Sequence, residues 1–135
     1  MTGQKTVLVV EDSPAQALTL RRMLQQEGLN VLWAANGKIG VTMAKDHLPD
    51  AIVLDIEMPE MNGFETCRHL KGAPETAKIP VIMLTVHTEP VALLEGIDVG
   101  AIDFIPKDAF SGSVLLETLR QLEILESTSD DSETA

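Results

Sequence analysis

An α/β fold built on a doubly wound, five-stranded parallel sheet, (βα)5, is predicted by three features of the chain. Five short runs rich in aliphatic and β-branched residues recur, segments with helical spacing separate them, and turn-forming residues stand at the junctions. Four of the five runs are apolar almost without interruption, as strands covered on both faces must be.

The first run, 6–10 (TVLVV), passes through Glu11 and Asp12 to Ser13-Pro14. A serine caps free helical N–H groups and a proline suits the first helical turn, so a helix starts there. Leu20, Met23 and Leu24 form its buried stripe, Gly28 closes it, and Leu18 falls on the opposite side among Arg21, Arg22 and Gln25. The second strand is 30–34 (NVLWA), followed by a helix over 38–47. Pro49 precedes the third strand, 51–54 (AIVL), and Asn62-Gly63 opens a helix over 63–70 that Gly72 closes. Pro80 starts the fourth strand, 80–84 (PVIML), a fourth helix covers 91–99 up to Gly100, and the fifth strand is 101–105 (AIDFI). Leu115, Leu119 and Leu122 mark the buried face of a fifth helix.

The 135 residues fit one domain, 1–125, and the remaining stretch 126–135 (ESTSDDSETA) has nothing to bury and is expected to be a disordered acidic tail. A formal charge of −11, of which only four acids lie in that tail, argues against a nucleic-acid surface. No apolar run is long enough for membrane insertion, no export leader opens the chain, and a single Cys67 suits a reducing, cytoplasmic setting. The histidines His47, His69 and His87 lack metal-ligand spacing, and Cys67 is expected to pack.

Ligands of open parallel sheets bind beyond the carboxyl ends of the strands. The residues just past each strand are therefore informative: Glu11 and Asp12 after the first, Asp55 after the third, Thr85 after the fourth and Lys107 after the fifth. Only Ala35 and Asn36 come after the second. With the flavodoxin-like strand order 2-1-3-4-5, the reactive groups converge and the silent strand lies at an edge. Three carboxylates in one crevice repel one another unless a cation intervenes, and a hard ion such as Mg²⁺ (or Mn²⁺) suits oxygen ligands. With a lysine and a hydroxyl added, the crevice is equipped to handle a phosphoryl group, with Asp55 as its acceptor.

The stretches VVEDS, VLDIEMPEMNGFE, MLT and GAIDFIPK together resemble the receiver domain of two-component response regulators, of the stand-alone, chemotaxis-regulator-like kind, from about residue 5 to 122. The resemblance implies that Asp55 accepts a phosphoryl group from a sensor histidine kinase or phosphotransfer protein. Glu11, Asp12, Asp55 and the backbone carbonyl of Glu57 would hold Mg²⁺, and Lys107 would pair with the phosphoryl group. It further implies that Thr85 and Phe104 form a switch: the hydroxyl turns to the phosphoryl oxygens and the aromatic ring moves inward. The face of the fourth helix, fifth strand and fifth helix then changes its downstream protein partner or forms a homodimer. Leu93 and Leu116 are expected to flank Phe104 on that face, and Leu18 to lie where kinases dock. Such a module signals rather than turning over substrate.

Four positions tune this expectation. Glu57 and His87 occupy sites that set phosphate lifetime in the family, and Val86 replaces a commonly smaller residue. Receivers usually place a cis proline after the lysine, where this chain has Asp108, so a rebuilt loop is expected there. A degenerate, docking-only receiver and an aspartyl-phosphate phosphatase are the competing readings. Against the first, Asp55 and Lys107 are both present; against the second, the acid pair spaced by one residue, Asp55-Ile56-Glu57, follows the third strand and has one Glu, whereas that family places two Asp after its first strand.

Overall fold

The computed structural model describes residues 4–58, 61–85, 98, 100–107 and 111–125. Its strands are β1 (Thr6–Val10), β2 (Asn30–Ala34), β3 (Ala51–Asp55), β4 (Val81–Thr85) and β5 (Asp103–Pro106). Helices α1 (Pro14–Gln26), α2 (Gly37–His47) and α3 (Gly63–Gly72) follow the first three strands, and a C-terminal helix spans Ser111–Gln121. The fourth helix expected over 91–99 lies outside the described residues, apart from a helical Asp98.

All strands run parallel in one sheet of order β2-β1-β3-β4-β5, the expected doubly wound arrangement. Burial follows position: every residue of β3 and β4 is buried, whereas the edge strands β2 and β5 alternate or are partly exposed.

Alternation along the strands sends side chains into two layers. Leu8, Val10, Ile52, Leu54 and Met83 pack with Ala44 of α2 and with Phe64, Cys67 and Leu70 of α3. Val7, Val9, Val53, Ile82, Leu84 and Ile105 pack on the other face with Leu24 of α1 and with Leu115 and Leu119 of the C-terminal helix.

One expectation needs correction here. The last strand starts at Asp103 rather than 101, because Ile102, although apolar, leaves its side chain 48% exposed ahead of the paired register Ile82↔Asp103. Phe104 packs against the α2/α3 layer, and Leu116 packs with its neighbours Leu115 and Leu119 against the α1 layer, on the other side of the sheet. Leu93 lies outside the described residues. Leu18 is exposed, as its helical phase requires. No helix among the described residues is long and apolar enough to cross a membrane.

Candidate functional site

Each central strand delivers one polar group to the carboxyl edge of the sheet. β1 ends at Val10, and the next residue stays in place because the Glu11 N–H donates to the Ala34 carbonyl of β2 at 3.0 Å. Its side chain turns inward and is buried, and Glu11 Oε2 accepts from the Ser13 N–H at 3.1 Å. Asp12, beside it, is exposed.

Asp55 is the last residue of β3 and only 4% exposed. Its Oδ1 accepts from the Glu57 N–H at 3.2 Å, so the loop after β3 folds back onto the carboxylate. The Glu57 side chain is exposed. Thr85 ends β4 in a fully buried position, and its carbonyl accepts from the Lys107 N–H at 2.8 Å, which fixes the lysine backbone beside β4.

The Lys107 ammonium reaches three oxygens from three elements. It lies 3.0 Å from Asp55 Oδ1 and 3.4 Å from Glu11 Oε1, and it donates to Gln16 Oε1 of α1 at 3.0 Å. One carboxylate oxygen from each of Glu11, Asp12 and Asp55 lies within 4.8 Å of the others.

Burial pushes the Glu11 carboxyl up to about 7, and the nearby Asp55 adds to the rise, while the Ser13 N–H and the Lys107 ammonium oppose it. Burial alone would lower Lys107, but its hydrogen bonds and charge contacts with Asp55 and Glu11 outweigh that and leave the ammonium favoured.

Glu11, Asp12, Asp55 and Lys107 thus converge, with Thr85 at the same edge. An all-oxygen set of closely spaced carboxylates, one of them open to solvent, fits a hard divalent cation such as Mg²⁺ or Mn²⁺. Phe104 is half-buried one strand away from Thr85. Val86, His87 and Asp108 lie outside the described residues, as does the Lys107-Asp108 peptide.

Two participants escape a reading of strand ends. Trp33, inside the supposedly silent β2, donates its indole N–H to the Glu11 carbonyl at 2.7 Å. Gln16 sits on a helix rather than after a strand. Its only sequence signal, three residues after Ser13, reads as a capping pattern.

A family model described as the response regulator receiver domain matches residues 7–120. Protein PilH of Pseudomonas aeruginosa is 38% identical over 113 residues, which cover 84% of this chain and 93% of PilH. Of other relatives the chain spans between 8% and 52% of the length. The chemotaxis protein CheY4 of Vibrio cholerae superposes with a TM-score of 0.83 at 32% identity, covering 89% of this chain and 99% of that one. The receiver domain of the Pseudomonas aeruginosa sensor histidine kinase PA1611, which holds a magnesium ion in its active-site cleft, gives a TM-score of 0.81 at 25% identity, covering 89% and 98%.

Proposed function

Because the chain belongs to the response regulator receiver domain family and is therefore a two-component phosphorelay receiver, we propose that Asp55 is its phosphoacceptor. The observation that carries the assignment is the Lys107 ammonium 3.0 Å from Asp55 Oδ1, at a strand end where two further carboxylates gather.

The donor is a phosphohistidine of a sensor kinase or phosphotransfer protein. A carboxylate oxygen of Asp55 attacks phosphorus, an O–P bond forms as the P–N bond breaks, and the imidazole nitrogen leaves with the bonding pair. Lys107 offsets negative charge that accumulates on the phosphoryl oxygens, and the Thr85 hydroxyl supplies a further donor.

Glu11, Asp12, Asp55 and the Glu57 carbonyl would hold Mg²⁺ (or Mn²⁺), which would neutralise phosphoryl charge when bound. The protein's own share is to hold these oxygens close together before any ion arrives, through the Ser13 N–H on Glu11 and the Glu57 N–H on Asp55.

The signalling output arises from Thr85 and Phe104 changing together and altering the face of β5 and the C-terminal helix. A downstream protein or a second copy binds that face, and the kinase side contacts the α1 end, where Leu18 is 46% exposed. Glu57, Val86, His87 and Asp108 set the lifetime of the phosphoryl group. The protein works in the cytoplasm as a switch whose only catalysis is on itself.

The test is intact-mass analysis after incubation with acetyl phosphate and Mg²⁺, comparing wild type with Asp55→Asn. A gain of one phosphoryl group in wild type alone is expected. Steady turnover of phosphate esters would instead identify an aspartyl-phosphate phosphatase, and absence of modification a docking-only receiver.

A further inference from the structure

Helices α1 and α3 open with the same kind of signature but use it differently. At α3 the capping box is complete: Asn62 accepts from the Glu65 N–H at 3.0 Å, and the Glu65 carboxylate accepts from the Asn62 N–H at 3.1 Å. At α1 only half of it exists. Ser13 accepts from the Gln16 N–H at 3.3 Å, but the Ser13 N–H is already taken by Glu11 at 3.1 Å. The Gln16 side chain is therefore released from its capping task, and its amide oxygen accepts from the Lys107 ammonium at 3.0 Å instead.

We infer that Gln16 is a positioning residue for Lys107, holding the ammonium at the α1 side of the crevice where it can meet a phosphoryl group on Asp55. The inference rests on the phosphoacceptor reading of Asp55. A lysine side chain has large rotamer freedom, and its other two contacts are carboxylates that a cation or a phosphoryl group would engage. Gln16 is the contact that survives that engagement. Its chemistry suits the place: an amide oxygen accepts from the ammonium without adding a fourth negative charge beside Glu11, Asp12 and Asp55, where a carboxylate would repel the incoming phosphoryl anion.

Gln16→Met tests this, since it keeps side-chain length and helix-forming tendency and removes the acceptor. Two readouts are taken: ¹³C relaxation at Lys107 Cε in the metal-free protein, and the rate at which acetyl phosphate with Mg²⁺ modifies Asp55. The variant is expected to loosen Lys107 and to slow modification about fivefold, the scale of one partly exposed charge-assisted hydrogen bond. In a Lys107→Met background the same substitution should change the rate less than about twofold, since an effect that runs through the lysine vanishes with it.

Unchanged order at Lys107 overturns the tether whatever the rates do. Loosened order with an unchanged rate, or equal slowing with and without the lysine, overturns the positioning role. Wild type that takes no phosphoryl group fails the Asp55 reading, while the relaxation measurement still judges the tether independently.

Discussion

Glu11 is a carboxylate with 1% of its surface exposed, and the groups that stabilise its charge are few: the Ser13 N–H and a Lys107 ammonium shared with Asp55. Burial dominates, so the folded protein binds a proton at Glu11 up to about 7, against an ordinary value of 4.5. A folded-state value above the unfolded one means that protonated Glu11 favours folding. That contribution is complete below about 4.5 and is lost as pH rises through about 7. Glu11→Gln mimics the protonated form at every pH. In metal-free buffer the variant and wild type should be equally stable near pH 4, and by pH 8 the variant should be the more stable by up to roughly 3 kcal/mol. Urea denaturation at a series of pH values measures the gap, and a gap that does not widen between pH 4.5 and 7 would remove burial as the governing cause.

At the scale of an element, the loop after β3 is clamped between the sheet and α3. The Gly63 N–H donates to the Ile56 carbonyl at 2.9 Å, and a Cβ at this position would lie 2.6 Å from Ile56 Cα and 2.7 Å from the Asp55 carbonyl oxygen. Both obstacles are backbone, which cannot turn aside as a flexible side chain would. Gly63→Ala is therefore expected to cost about 1–3 kcal/mol, the ordinary penalty of overpacking, and to displace the Asp55 strand end. A loss under about 0.5 kcal/mol in urea denaturation, with Asp55 modified at the wild-type rate, would contradict the clamp. The sequence announces much of this element: an apolar run that ends in an acid, then Asn62-Gly63 at a helix start. It does not announce the close approach, because a glycine after asparagine reads equally well as a turn. Gln16 and Trp33 were hidden for related reasons. Whether Gln16 caps its own helix or serves Lys107 depends on who occupies the Ser13 N–H, and Trp33 reaches Glu11 only because β2 lies beside β1.

Across the whole molecule, a parallel sheet between helical layers follows from the alternation of apolar runs and helical segments, because parallel strands join by crossovers. The order 2-1-3-4-5 is the flavodoxin-like arrangement of such a sheet, and given that order the meeting of Glu11, Asp12, Asp55 and Lys107 follows from the residues just past each strand. The limits of the folded body are harder to read, because composition changes gradually after the last helix. Leu125 is buried to 8% exposure, with Leu122 and Ile124 partly buried against the same layer as Leu115 and Leu119, although all three come after the end of the C-terminal helix at Gln121. The acidic stretch 126–135 carries no apolar side chain larger than alanine. A chain ending at Leu125 should therefore unfold within about 0.5 kcal/mol of the full chain, as for changes that touch no packed group. One ending at Gln121 should lose roughly 2–5 kcal/mol, because removing packed aliphatic side chains costs that much even singly. Urea midpoints of the two truncations decide the boundary. A clear loss on removing 126–135 alone would show that the acidic stretch packs on the body and would move the domain limit beyond Leu125.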